Sequence, residues 1–307
     1  MNAYLARRLA LTIPILLGAS TLVFLLLHLV PGDPAVSMLG EGASPDEVTA
    51  LRDRLGLNAP IGEQYVRFLG SAVQGDLGQS FRYATPVTSE ILSRVPATLT
   101  LALASMVVAV GLALPLGILA AVWRGGAIDL AAMGAALVGV SVPNFWLGPL
   151  LALVFAVELG WFPVSGSGSL AHLVLPSLTL GTGLAAILAR MTRTSVIEEL
   201  RELYVQAARA RGVSPSRAVL VHAFRNSLIP VVTLIGLQFG AVLTGAIITE
   251  TIFAWPGVGR LLIQAIEFRD YPLVQGCILF IAVVYTGVNL LTDVVYAVLD
   301  PRVRYST

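Results

Sequence analysis

The run ATLTLALASMVVAVGLALPLGILAAVW, Ala97 to Trp123, holds 27 consecutive residues without a charge. A bilayer core of about 30 Å is crossed by roughly 20 helical residues rising about 1.5 Å each, so this run is long enough to span one. Segments at about 9–30, 130–157, 173–192, 228–250 and 273–299 meet the same test or nearly so. Of 307 residues, 56% are hydrophobic and 12% charged, and mean hydropathy is +0.84, far greasier than a soluble domain. These features predict an all-α polytopic membrane protein with six transmembrane helices.

Composition also excludes chemistry. All 19 basic residues are arginine, so a Walker motif, a Schiff base and a Ser-Lys dyad are ruled out. One cysteine, Cys277, allows no disulfide within the chain. His28, His172 and His222 are too far apart for a zinc spacing, so no metal site is expected. Nothing points to nucleic acid.

The first span follows Arg7 and Arg8 and runs into Pro31-Gly32-Asp33-Pro34 with no small-residue cleavage site, which reads as an uncleaved anchor. With the N-terminus in the cytoplasm, Arg7, Arg8, Arg124, the group from Arg190 to Arg225, Arg302 and Arg304 share that side. The short loops then follow the positive-inside rule, and both termini are cytoplasmic. The expected division is a tail and first span (1–30), an extracytoplasmic helical domain (31–96), a five-helix core (97–299) and a cytoplasmic tail (300–307). In the second part, Ser44-Pro45-Asp46-Glu47 reads as a helix start and Gly56 as its stop. A further helix is expected from about Pro60 to Val73 with Tyr65, Phe68 and Leu69 on one face. The domain reads equally as a spacer or as a platform for an extracytoplasmic partner. Trp123, Trp146, Trp161, Phe162 and Trp255 fall near span ends, where amphipathic rings anchor.

Between the fourth and fifth spans, the loop 198–226 contains YVQAARARGVSPSRAVLVHAFRN, Tyr204 to Asn226, with four arginines. A helix is expected from Glu198 to Arg211, with Leu200, Leu203, Tyr204 and Ala207 on one face. Gly212 ends it, and Ser214-Pro215 starts a second, short helix carrying Arg217, Val219, Leu220 and His222. Helices lying on the anionic inner leaflet account for the charge but not for the corner. A stiff, protruding helix suits docking into a groove on another protein.

Here the residues carry a resemblance. Gln206-Ala207-Ala208-Arg209-Ala210-Arg211-Gly212 resembles the E-A-A-x-x-x-G loop that seats permease subunits of ABC importers in a cleft of the ATPase. Glutamine replaces the glutamate, and the I-x-L-P ending appears as Leu228-Ile229-Pro230, its proline eighteen residues after the glycine. Both departures are similar to the peptide branch of that family. So are Leu29 to Pro34, Gln74-Gly75-Asp76-Leu77-Gly78, Thr249 to Arg260, Arg269-Asp270-Tyr271-Pro272 and Asp300 to Tyr305.

The resemblance implies type I ABC importer architecture and import of dipeptides, oligopeptides or glutathione, with nickel or another small solute as the alternative. It implies a second homologous permease in a heterodimer, two ATPase subunits that bind ATP and Mg, and an extracytoplasmic substrate-binding protein. This chain would then hold no cofactor and catalyse nothing, and it would sit among lipid in a bacterial cytoplasmic (inner) membrane. Gln206, Ala207, Ala208, Gly212, Ser214, Pro215, Arg217 and His222 would couple it to the ATPase.

Ionisable groups within spans are expensive, which makes each a candidate for function. Glu250 at the end of the fifth span could meet a peptide amino group, cap the following loop or pair with Arg260. Gln238 and Asn289 are further candidates for a substrate path. Asn289 and Asp293 share a face of the sixth span, and an interhelical hydrogen bond is the favoured role. Arg190 and Arg193 are expected to meet lipid phosphate or Glu198. Pro14, Pro115, Pro143, Pro149 and Pro176, with Gly111, Gly117, Gly148, Gly181 and Gly183, are read as interruptions of the spans that would permit rocking. A secondary carrier or an intramembrane protease would need midplane acids, repeated halves or a Ser-His pair, and none is evident.

Overall fold

A computed structural model describes residues 2–29, 34–39, 42 and 44–299. The motif parts at 30–33 and 300–305 lie outside them. The element order is α1 (Asn2–Leu29), α2 (Pro34–Leu39), α3 (Pro45–Leu55), α4 (Ile61–Val73), α5 (Val87–Val122), α6 (Ala127–Ser141), α7 (Asn144–Leu151), α8 (Leu170–Leu200), α9 (Leu203–Ala210), α10 (Pro215–Arg217), α11 (Phe224–Gly245), α12 (Ile247–Ile252), α13 (Val258–Glu267) and α14 (Tyr271–Leu299). Among the described residues, extended structure is confined to a bridge between Gln79 and Pro86.

Four helical stretches among the described residues are long and apolar enough to cross a membrane: Val87–Val122, Leu170–Leu200, Pro215–Leu243 and Tyr271–Val294. The pair α6–α7 would make a fifth crossing, but it bends by 102°. In α1 the described apolar stretch is the shorter Ala10–Leu25. The span expected at 130–157 is therefore broken, at Pro143, one of its expected interruptions. Pro143 denies its residue a helix-continuing amide and holds Val142 extended at ψ 116°, so the chain turns and restarts at Asn144.

The other expected interruptions are mostly not interruptions. α5 runs unbroken through Gly111, Pro115 and Gly117, and α8 through Pro176, Gly181 and Gly183. Gly117 and Gly181 instead let these two helices touch: a Cβ at Gly117 would stand 2.7 Å from the Ala189 carbonyl oxygen, and one at Gly181 2.9 Å from that of Ser105. The contact is filled by Met106, Ala109, Ala113, Ala185, Leu188 and Ala189, closed by Val231 of α11.

The helix start at Ser44 is a full capping box: Ser44 Oγ accepts from the Glu47 amide at 3.3 Å, and Glu47 accepts from the Ser44 amide at 2.9 Å. These bonds, the Ser44 backbone amide first, hold the Glu47 carboxyl below its usual range. Gly56 closes α3 at φ 67°. The expected face of α4 is present as well. Tyr65 and Phe68 pack their rings against Phe24 of α1, with centroids 5.2 and 5.8 Å apart, and Tyr65 shares a 2.6 Å hydrogen bond with Thr21. α5 starts at Val87 rather than at the expected 97.

Trp123, Trp146 and Trp161 are exposed, as interface anchors are, but Trp255 is not. It is buried, and its indole N–H donates to the Ala97 carbonyl oxygen at 2.8 Å.

Candidate functional site

At one end of the bundle, α8 stops at Leu200 and the chain breaks at Arg201–Glu202, where Glu202 is extended (φ −68°, ψ 144°). The expected unbroken helix from Glu198 to Arg211 is thus two helices. The break resets the helical phase, so Val205, rather than Leu203 or Ala207, is the buried anchor. Val205 packs with Ala218 and Ala223, and Leu200 and Val213 close around them. Gly212 turns the corner at φ 89°, a left-handed conformation that glycine alone adopts without strain.

Beyond the corner, Pro215 opens a helix, but not a short one. α10 continues through a π-helical turn, Ala218–Ala223, straight into α11. Ser214 does not act as its side-chain cap; its carbonyl oxygen accepts from the Ala218 amide at 2.9 Å. The loop is therefore a cantilevered end of α11 with α9 strapped across it.

The strap is tied by Tyr204, expected only as part of a helix face, with Glu199 and Asn226, and by Gln206. The Tyr204 hydroxyl donates to Glu199, accepts from Asn226 Nδ2 at 2.8 Å and lies 3.3 Å from the His222 carbonyl oxygen. Burial first, and then the bond to Glu199, pushes the Tyr204 hydroxyl up to about 12. Gln206 reaches back 2.8 Å to the Arg201 carbonyl and satisfies an orphan acceptor at the end of α8. Ala207, Gly212, Ser214, Pro215 and Arg217 are exposed, Ala208 and His222 half-buried. Leu203, Leu220 and Val221 add exposed apolar surface, at 79, 55 and 50%. The loop presents a bent, rigid, partly greasy and basic knuckle.

At the opposite end, Glu250 is fully buried. Its oxygens accept from Thr98 Oγ1 of α5 at 2.7 Å, from the Arg260 amide at 3.0 Å and from the Gly259 amide. Thr98 in turn accepts from the Val258 amide at 2.9 Å. The first-turn amides of α13, which have no cap from Gly257, thus end on Thr98 and Glu250. Only glycine fits at 257, since a Cβ there would overlap the carboxylate. In this arrangement Glu250 faces inward to the chain rather than toward an arriving solute. It does not pair with the Arg260 guanidinium, which donates to the Ala254 carbonyl oxygen at 2.6 Å.

A second buried carboxylate, Asp270, ties the stretch before α5 to α14. It accepts from Ser80 Oγ at 2.5 Å, from the Arg82 amide at 3.0 Å and from the Leu273 amide at 3.2 Å. Ala254 and Arg269, both at positive φ (50° and 54°), stand just beside these two joints. Such backbone costs on the order of 1–3 kcal/mol and persists where surroundings over-determine it. Asp270 stands within Arg269-Asp270-Tyr271-Pro272, where no local signal points to a partner 190 positions away.

The remaining polar groups do not converge. Gln238 is buried; its Nε2 donates to the Leu184 carbonyl at 3.4 Å and its Oε1 has no partner. Asn289 lines a cavity of about 630 Å³ with Arg8, Thr12, Tyr285 and Asp293. Asp293 pairs with Arg8 at 3.0 Å and joins α14 to α1. Arg193 meets Asp129 rather than the expected Glu198, through two hydrogen bonds at 2.6 and 2.7 Å.

A helical membrane bundle with a buried brace at one end and a projecting, bent knuckle at the other defines the class of a transport subunit moved from outside itself. The chain belongs to the family of binding-protein-dependent transport system inner membrane components, whose model matches residues 113–305, while the N-terminal model of that family matches residues 1–102. It is 47% identical over 305 residues to the glutathione transport system permease protein GsiC of Escherichia coli K12, with 99% of this chain and 100% of the relative covered. The corresponding protein of Shigella flexneri serotype 5b gives the same figures, 47% over 305 residues. Among solved structures, an inward-facing MetNI methionine ABC transporter aligns with TM-score 0.58 at 19% identity, covering 69% of this chain and 96% of that one. An amino acid ABC transporter with histidines aligns at TM-score 0.51 and 17% identity, covering 70% and 94%. The chain is thus a multi-pass inner-membrane transport subunit of the ABC class, with ATP hydrolysis carried by separate ATPase subunits.

Proposed function

We propose that this chain forms half of the translocation path of an importer for peptides, with glutathione or short peptides as the solute. The observation that carries the substrate class is the identity to glutathione permeases along nearly the whole chain. In this reading the chain crosses the membrane six times, with both termini in the cytoplasm and the segment 31–96 outside. The arginine distribution supports that orientation. A second, homologous permease completes the path, an extracytoplasmic binding protein delivers the solute, and two ATPase subunits bind ATP and Mg.

The knuckle formed by Gln206, Ala207, Ala208, Gly212, Ser214, Pro215, Arg217 and His222 seats on an ATPase. Because α10 continues into α11, a push on the knuckle moves the fifth span as one lever. Within the path, Gln238 is the polar group proposed to meet solute, since its amide oxygen is buried and unpaired. Asn289, on a cavity wall, is the second.

Two measurements test this. Cysteine at Ser214 or Arg217 should crosslink to the ATPase in the assembled transporter; adducts with lipid alone would remove the docking role. Gly212→Pro cannot adopt φ 89° and should leave ATP hydrolysis running while labelled peptide uptake fails. Normal ATP-driven uptake by that variant, or no uptake of glutathione or dipeptides by the parent, would count against the coupling and the substrate reading respectively.

A further inference from the structure

A cavity of about 620 Å³ lies between α6 and α8. One wall is an apolar face of α6, with Leu130, Met133, Leu137 and Val140, and the other is the flank of α8 from Ala186 to Arg193. From Ala127 to Val140 a helix rises about 20 Å, against about 15 Å for half of a 30 Å core, so the groove follows the depth of one leaflet. At the end near the knuckle its lining turns polar, with Gly125, Asp129, Arg190 and Arg193. Asp129 and Arg193 answer each other, and Asp129 Oδ2 also accepts the Gly125 amide at 2.8 Å. Arg190 is exposed three residues before Arg193, and its guanidinium has no partner among the described residues. Arg124 precedes the same corner, so the rim carries more positive than negative charge.

An apolar trough one leaflet deep, ending at an unanswered guanidinium, has the pattern of a glycerophospholipid with an anionic head. We propose that the α6–α8 groove binds an anionic phospholipid of the inner leaflet, its phosphate on Arg190 and one acyl chain between the helices. Guanidinium and phosphate match in charge and in planar fork geometry, and basic pockets between spans on the cytoplasmic side suit such heads. The chain would cover a flank that the protein leaves open, since Asp129 and Ala132 are the buried residues of α6. The proposal rests on the inward placement of Arg190 given above.

The test uses the assembled transporter in phosphatidylcholine nanodiscs with and without phosphatidylglycerol, reading the lipid that stays bound after detergent extraction by native mass spectrometry. The parent should retain phosphatidylglycerol several-fold over phosphatidylcholine. Arg190→Gln should abolish that preference, and Arg190→Lys, which keeps charge without the fork, should keep part of it. Equal retention of both lipids by the parent, or an undiminished preference in Arg190→Gln, overturns the site. Displacement of the lipid by inorganic phosphate would make it an ion site, and crosslinking of Met133→Cys to the second permease would make the groove a protein interface; either outcome also overturns it. Orientation is checked separately: Cys277 is buried, so Arg190→Cys should take a membrane-impermeant maleimide from the cytoplasmic side alone. Labelling from outside would sink the inner-leaflet placement whatever the lipid result.

Discussion

Replacing Thr98 by valine keeps the shape of the side chain and removes one hydroxyl that serves two buried groups. That hydroxyl donates to Glu250 at 2.7 Å and accepts from the Val258 amide at 2.9 Å. Its loss leaves a buried amide without an acceptor, at about 1–3 kcal/mol, and takes from a buried carboxylate a charge-assisted bond of about 1.5–3 kcal/mol. The two losses share one atom and are not independent, so about 3 kcal/mol is the working figure. At roughly 2–4 °C per kcal/mol for a chain of this size class, Thr98→Val should lower the midpoint by on the order of 6–12 °C. Unfolding of the purified assembly, followed by tryptophan fluorescence at one fixed scan rate, measures it. Thr98→Ser keeps the hydroxyl and loses a methyl group worth about 0.8 kcal/mol, so it should recover most of the loss. A Thr98→Val midpoint within about 2 °C of the parent, or a serine variant as unstable as the valine one, would show that Thr98 and Glu250 do not cap α13 as described.

Asp129→Ala should leave Arg193 unanswered and lower the yield of folded protein, and the exchange Asp129→Arg with Arg193→Asp should recover it; equal loss in the exchange would mean that the pair is not what joins α6 to α8. Tyr204 makes a pH-dependent contribution. Its folded value is raised from 10.0 to about 12, so the stability it adds is complete below pH 10 and is lost as pH rises through 12. Proteolysis at Arg209 and Arg211 should therefore quicken across that window in the parent. Tyr204→Phe should already be more sensitive at neutral pH and lack that step, and identical cleavage profiles would disprove the tie.

Much of the fold was legible because bilayer thickness translates directly into a length of uncharged helix. The run 97–123 needed no partner to be read, and Ser44-Pro45-Asp46-Glu47 carries its own hydrogen-bonding logic within one turn. The corner at Gly212 was legible for the same reason, since a left-handed residue is a local requirement. What failed to show in advance depended on groups distant in sequence. Thr98 and Glu250 are 152 positions apart, and Ser80 and Asp270 are 190 apart. The helical phase of α9 also escaped, because a break at Arg201–Glu202 rotates everything after it.

The sequence by itself determined the solvent this chain lives in, the places where it turns and the family to which it belongs, because hydropathy, caps and local motifs are properties of short windows. Tertiary structure alone decided that Glu250 braces α13 and that α11 reaches from the bundle into the knuckle. It also decided that Pro143, rather than the other prolines, breaks a span. Each of these outcomes turns on which buried donor finds which acceptor, and that is settled only when distant helices pack.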